Sequence, residues 1–256
     1  MRAFPATGQG IGLLILVWQA AIWLFSPPRY MLPPPLDVLQ TLARQSGFLL
    51  SNSLVTLTEI LAGLAFGTLF GVAMALSVAA FPRAGGLVWP VLLVLQAFPV
   101  FVLAPLLVLW FGFGMSSKVV MTTIIIFFPV TSAFADGLRR TDRFLLDAAA
   151  LTPASHWQTL VHIRVPLAVP GLISGLRIAA PLAPLGAVVG EWVGASSGLG
   201  FVMVQANARM QTDTVFAAMV ILALLTVCLR LAVDRLTAQL VPWARETSFV
   251  SRAISP

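Results

Sequence analysis

Charged residues are so rare in this chain that the distances between them set what it can fold into. Six long stretches carry no Asp, Glu, Lys or Arg: Ala3 to Pro28, Ile60 to Pro82, Ala84 to Ser117, Val119 to Ala135, Ile178 to Gly190 and Thr214 to Leu229. Most reach or approach the ~20 residues that a helix needs to cross a ~30 Å hydrocarbon layer. The fifth is short, but Val165 to Leu176 just before it is also uncharged, so a full span forms once Arg177 is accepted within it or near its end. With 59% hydrophobic residues and 9% charged ones, against roughly 25% charged in an average soluble protein, there is too little charge to keep a globule of this size dispersed in water. The expected class is an all-α membrane protein with six transmembrane helices. Residues 1–30 hold the first span and the N-terminus, 31–241 form a core with five further spans and a loop at 136–165, and 242–256 form a C-terminal tail.

The basic residues orient the spans. Arg2, Arg83, Arg139, Arg140, Arg143, Arg164, Arg230, Arg235, Arg245 and Arg252 fall on one side, and only Arg29, Arg44, Lys118 and Arg209 on the other. Ten against four places both termini, the 136–165 loop and the tail in the cytoplasm. The apolar run Ile11 to Phe25 ends in Ser26-Pro27-Pro28-Arg29 rather than a small-residue cleavage site, so it reads as a span and not a signal peptide. The net charge of +6 points to lipid headgroups rather than nucleic acid, because the arginines punctuate apolar runs instead of gathering into a polar patch.

Several chemistries drop out. One cysteine, Cys228, permits neither an internal disulfide nor a Cys-rich metal site, and two histidines, His156 and His162, lack further ligands nearby, so no metal site is expected. The single lysine, Lys118, follows Ser116-Ser117, so no phosphate-binding G-x-x-x-x-G-K-[ST] loop exists. No paired-carboxylate or Ser-His-Asp arrangement suggests catalytic residues, and the chain is not expected to be an enzyme. The glycine-rich segment Gly194 to Gly200 reads as an exterior turn.

Within the spans, Gly63, Gly67 and Gly71 line one helix face and allow a neighbouring backbone to approach closely. Glu59, near the outer end of the same span, reads as an interface-facing carboxylate. Pro90, Pro99, Pro105, Pro129, Pro166, Pro170, Pro181 and Pro184 interrupt spans three to five, and broken helices suit a pathway or a moving gate. Pro99, Met203, Glu191 and Arg177 are the candidates for that path or gate. Arg177 is either functional or snorkels to an interface. Outside, Pro27, Pro28, Pro33, Pro34 and Pro35 predict a stiff polyproline II connection, followed by a helix from Asp37 to Leu50 with Leu36, Leu39, Leu42 and Ala43 on one face.

The cytoplasmic loop is the one substantial polar segment. Asp142 to Ala150 predicts a helix, and Thr152-Pro153 predicts the cap and first residue of a second one through His162. There Trp157, Leu160, Val161 and Arg164 share a face that wants either a partner or the membrane surface.

This loop reads Asp147-Ala148-Ala149, Pro153-Ala154-Ser155, Ile163-Arg164-Val165-Pro166 and Pro170-Gly171. It resembles the EAA loop of permease subunits in bacterial ABC importers, E-A-A, three residues, G, nine residues, I-x-L-P, with matching spacing. The resemblance extends through Phe128-Pro129 and Asp136-Gly137-Leu138-Arg139 before the loop, and Ser174-Gly175-Leu176-Arg177 and Gly186 to Trp192 after it, covering most of 36–241. Asp147 replaces the pattern's glutamate, Pro153 its glycine and Val165 its leucine. The resemblance implies the type I importer permease fold in a bacterial inner membrane, with a cytoplasmic ABC ATPase, a periplasmic or lipid-anchored solute-binding protein and a second permease copy as partners. It implies that Asp147, Ala148, Ala149, Pro153, Ser155, His156 and Trp157 form the ATPase contact, and that ATP and Mg are used by the partner while this chain binds no cofactor. The sequence is most similar to the nitrate, sulfonate and taurine type, and Gly186 to Gly200 resembles members that carry thiamine-precursor pyrimidines of the hydroxymethylpyrimidine kind. Two other classes compete. A self-sufficient secondary transporter should carry more ionisable groups inside its spans and often a repeat, and a membrane enzyme or scaffold should carry a catalytic constellation.

Overall fold

The computed structural model describes residues 4–240; the tail expected at 242–256, Arg2, Arg245 and Arg252 lie outside the described residues. All regular structure among them is helical. The elements are α1 (Phe4–Phe25), α2 (Pro35–Arg44), α3 (Ser46–Ala80), α4 (Pro82–Gln96), a 3₁₀ turn at Val100–Leu103, α5 (Ala104–Phe111), α6 (Met115–Arg139), α7 (Arg143–Ala150), α8 (His156–Thr159), a π turn at Leu160–Arg164, α9 (Val165–Gly194), α10 (Leu199–Ala208) and α11 (Thr212–Ala238).

Four helical stretches among the described residues are long and apolar enough to cross a membrane: Ser46–Ala80, Met115–Arg139, His156–Gly194 and Thr212–Ala238. The α4 and α5 segments make a fifth if taken as one broken span, and Gly12–Phe25 within α1 is a shorter apolar helix. Long apolar side chains such as Leu61, Leu69 and Phe70 on α3 and Met219, Leu224 and Val227 on α11 stay exposed. That surface suits hydrocarbon and not water.

Prolines break fewer helices than expected. Pro90, Pro129 and the four prolines of α9 all sit inside continuous helices, Pro105 lies in the first turn of α5, and only Pro99 lies at a break, between α4 and the 3₁₀ turn. Pro34 keeps polyproline II angles at φ −61°, ψ 146°, but the stiff exterior connection is interrupted by a turn in which Met31 N–H donates to Pro28 O at 2.8 Å. The helix expected over Asp37 to Leu50 ends instead at Arg44, and α3 starts at Ser46. Its buried positions are Val38 and Thr41, while Leu36 and Leu39 are exposed, because Thr41 Oγ1 donates to Asp213 Oδ2 at 2.7 Å and turns that face inward.

The chain forms two compact units. One is drawn from Met1–Gly63, Val100–Thr122 and Pro184–Thr226, the other from Leu64–Pro99, Thr123–Ala183 and Val227–Pro256. The first has a core of Val38, Leu49, Leu199, Val202, Met203, Ala217 and Ala218. The second centres on Ala75, Phe134, Ala135, Leu138, Leu160 and Ala168. The glycine stripe of α3 faces α6 of the same chain. In the first unit Gly63 abuts Thr122; in the second, a Cβ on Gly67 would stand 2.7 Å from Ile126 and one on Gly71 3.0 Å from Val130. Small residues thus bring two membrane helices into backbone-range contact, where packing rather than hydrophobicity holds them.

Candidate coupling loop and buried polar cluster

The second unit carries the loop. Asp142 opens α7, its Oδ1 accepting from Phe144 N–H at 2.9 Å, and Asp147, Ala148 and Ala149 follow on that helix, Asp147 and Ala148 exposed. The next helix is not opened by Thr152-Pro153. Those residues form a turn, with Thr152 Oγ1 donating to Ala149 O at 2.7 Å, and Ser155 is the cap. Ser155 Oγ accepts from Gln158 N–H at 3.3 Å, while Gln158 Oε1 accepts from Ser155 N–H at 2.8 Å. This reciprocal box satisfies two otherwise orphaned amides, and the S-x-x-Q spacing outcompetes Thr-Pro three residues earlier.

His156 and Trp157 follow the cap. Trp157 is half exposed and sets its ring edge-on to Phe81, centroids 5.7 Å apart. The face expected to unite Trp157, Leu160, Val161 and Arg164 is split: Leu160 is 2% exposed and Val161 53%, and Arg164 donates from Nε and Nη2 to Leu138 O at 3.1 and 3.0 Å. The cause is the π turn, in which Val165 N–H reaches back five residues to Leu160 O. Pro166 has no N–H to offer and its ring would crowd the His162 carbonyl in a regular α ladder, so one widened turn absorbs it. The helix is otherwise continuous from His156 to Gly194.

Arg177 lies in α9 and is paired: its Nε stands 3.0 Å from Asp234 Oδ1, and Arg230 Nε 2.9 Å from Asp234 Oδ2.

The first unit holds a polar cluster that the sequence reading missed. Glu59 is 2% exposed, not at an interface, and Glu191, Lys118 and Thr56 are equally buried. Glu191 is central: its Oε1 accepts from Thr56 Oγ1 at 2.6 Å, and its Oε2 accepts from Gly200 N–H. Thr56 Oγ1 also accepts from Leu199 N–H, and Asn52 Oδ1 accepts from Gly198 N–H, both at 2.8 Å. These bonds clamp the start of α10, where free amides and the helix dipole favour a carboxylate. Gly198 has φ +107°, and any Cβ there would collide with the Glu191 carboxylate. Lys118 Nζ donates to Phe113 O at 2.6 Å and to Gly194 O. Glu59 adjoins Glu191 and Lys118, and its Oε2 has no hydrogen-bond partner among the described residues. The signal was present as Asn52, Thr56 and Glu59 at i, i+4 and i+7 on one face of α3. Of the remaining path candidates, Met203 is in the apolar core of this unit and Pro99 is exposed at its break.

No group of three metal-ligating side chains occurs among the described residues. The geometry thus consists of a buried set of hydrogen bonds around the start of α10 and a largely exposed loop whose second helix continues into α9.

Comparison with known proteins bears on both. Residues 67–246 match the family of binding-protein-dependent transport system inner membrane components. A probable ABC transporter permease of Haemophilus influenzae is 48% identical over 224 residues, 88% of this chain and 91% of the relative. The formylaminopyrimidine transport permease ThiX of Halalkalibacterium halodurans is 34% identical over 91% of this chain and 94% of its own. The taurine transport permease TauC of Escherichia coli is 31% identical over 92% and 88%. Other relatives are named as riboflavin and aliphatic sulfonate permeases.

Proposed function

Since the chain belongs to the binding-protein-dependent transport system inner membrane components, and is an ABC transporter permease of the sulfonate, taurine and thiamine-precursor type, we propose that it forms the translocation path of an ATP-driven importer for a small heteroaromatic solute. Six spans, with α1 first and the broken α4 and α5 pair third, would leave both termini in the cytoplasm. A second copy of the chain completes the path, a cytoplasmic ATPase subunit binds and hydrolyses ATP with Mg, and a periplasmic or lipid-anchored binding protein delivers the solute.

The observation that carries this reading is the root of the loop. Asp147, Ala148, Pro153, Ser155, His156 and Trp157 present an exposed surface around a half-buried Ala149, and the helix bearing Trp157 runs without a break into a membrane span. A push on α8 is thereby a push on α9, which is what alternating access driven from an ATPase requires. For the solute, the formylaminopyrimidine relative supports a thiamine-precursor pyrimidine. A sulfonate is the second reading, supported by the taurine relative; Arg177 would meet it already held by Asp234.

The test is ATP hydrolysis and solute uptake by the chain in lipid with its ATPase and loaded binding protein, comparing wild type with Trp157→Ala and Asp147→Arg. Binding-protein-stimulated hydrolysis and uptake in the wild type, both lost in the variants, is expected. Uptake that needs no ATPase, or that ignores both substitutions, returns the chain to the secondary-transporter class. A panel of pyrimidines against taurine separates the two solute readings.

A further inference from the structure

A cavity of about 340 Å³ in the second unit lies at the root of the loop and is lined by none of the residues assigned to the ATPase contact. Val78 and Ala79 of α3, and Trp89 and Pro90 of α4, give it an apolar wall, and Arg139 and Arg164 both line it. The Arg139 guanidinium stacks 4.0 Å over the Trp89 ring. Arg164 spends two of its five N–H groups on Leu138 O, which leaves three donors. Neither cavity arginine has a carboxylate partner among the described residues.

Two cations meeting in one apolar-walled cavity without a counter-charge call for an anion. Arginine forks match phosphate oxygens better than any other planar donor set, and basic pockets between membrane helices hold anionic headgroups. We propose that this cavity binds a phosphate group carried on a lipid, its oxygens on Arg139 and Arg164 and its acyl chain along Val78, Ala79, Trp89 and Pro90. A soluble phosphate compound would engage the guanidinium groups but leave the apolar wall unused. The inference needs the membrane location only, not the importer reading.

The experiment is native mass spectrometry of the full chain in detergent, titrated with phosphatidylglycerol, phosphatidylcholine, glycerol phosphate and inorganic phosphate. At least tenfold tighter retention of phosphatidylglycerol than phosphatidylcholine is expected. Arg139→Gln should remove that preference, whereas Arg140→Gln, at an exposed neighbour lining a different cavity, should keep it. Arg139→Lys, which retains charge without the fork, should fall between and serves if Arg139→Gln does not fold. Equal retention of the two lipids, or equal effects of the variants at 139 and 140, overturns the site. Glycerol phosphate binding as tightly as the lipid, and lost in Arg139→Gln, supports the phosphate site and overturns the lipid as its source.

Discussion

Replacing Lys118 with methionine isolates what holds the buried cluster together. Lys118 is 1% exposed; methionine keeps the apolar stem but loses the ammonium, which donates to Phe113 O and Gly194 O. Hydrogen bonds to a charged group are worth about 1.5–3 kcal/mol each, so two lost bonds set a scale of about 3–6 kcal/mol. Removing one partner of a buried ionic set costs about 3–5 kcal/mol because the remaining charge is uncompensated, and the two routes agree on about 4 kcal/mol. The uncompensated groups here are Glu59 and Glu191. Glu191 retains Thr56 and the Gly200 amide; Glu59 retains a hydrogen bond with Glu191, while its Oε2 has no partner among the described residues. Glu59→Gln should therefore restore a good part of the stability lost in Lys118→Met, by about 1–3 kcal/mol, and Glu191→Gln should restore none. The assay is reversible unfolding in mixed micelles, arranged as a double-mutant cycle. A Lys118→Met variant within about 1 kcal/mol of wild type, or rescue by Glu191→Gln rather than Glu59→Gln, refutes the reasoning.

Two further substitutions test local features. Ser155→Ala removes one arm of the capping box and should destabilise the start of α8 by about 1 kcal/mol, seen as roughly fivefold faster amide exchange at Gln158 and Thr159, whose N–H groups donate to Ser155, with the spans unchanged. Gly67→Ala forces a Cβ against Ile126 and should lower the unfolding free energy by about 1–3 kcal/mol, while Gly47→Ala, which meets nothing within 4 Å, should be neutral or stabilising by up to about 1 kcal/mol; thermal unfolding in lipid separates them.

What the sequence disclosed and what it hid follow from the same scarcity of charge. The long helices could be read from the gaps between charges, and the Gly63, Gly67 and Gly71 stripe announced a close neighbour, since glycine every fourth residue clears one face of an apolar helix for another backbone. The partner of that stripe could not be read, because an all-round apolar helix has no periodicity to orient it. Glu59 was misplaced for a related reason. Burial of a lone carboxylate is costly, and a linear reading does not show that Lys118, about sixty residues on, stands beside it. The loop was legible in its spacing but not in its cap: Thr152-Pro153 and Ser155-His156-Trp157-Gln158 both open helices, and only the folded chain shows Gln158 returning to Ser155. Prolines misled most, because neighbouring groups and a single π turn let α9 carry four of them unbroken.

That π turn decides how the loop meets the span, and two magnitudes say what holds it. Pro166→Ala restores an N–H, so the turn is free to close into a regular ladder and gain one hydrogen bond worth about 0.5–1.5 kcal/mol. Closing it would rotate α8 by about 100° relative to α9, the angle one residue subtends. Leu160 would then leave the core of Ala75, Phe134 and Leu138 that buries it, at a loss of about 1.5–3 kcal/mol. Burial outweighs the bond, so Pro166→Ala alone should keep the π register. Adding Leu160→Ser removes the anchor and should let the helix turn. A cross-link between cysteines placed at Phe81 and Trp157, whose rings now meet at 5.7 Å, in a Cys228→Ser background, reads the register directly. It should persist in Pro166→Ala and vanish in the double variant. Its loss in Pro166→Ala alone would mean that the proline, and not the buried leucine, holds the angle at which the loop enters the membrane.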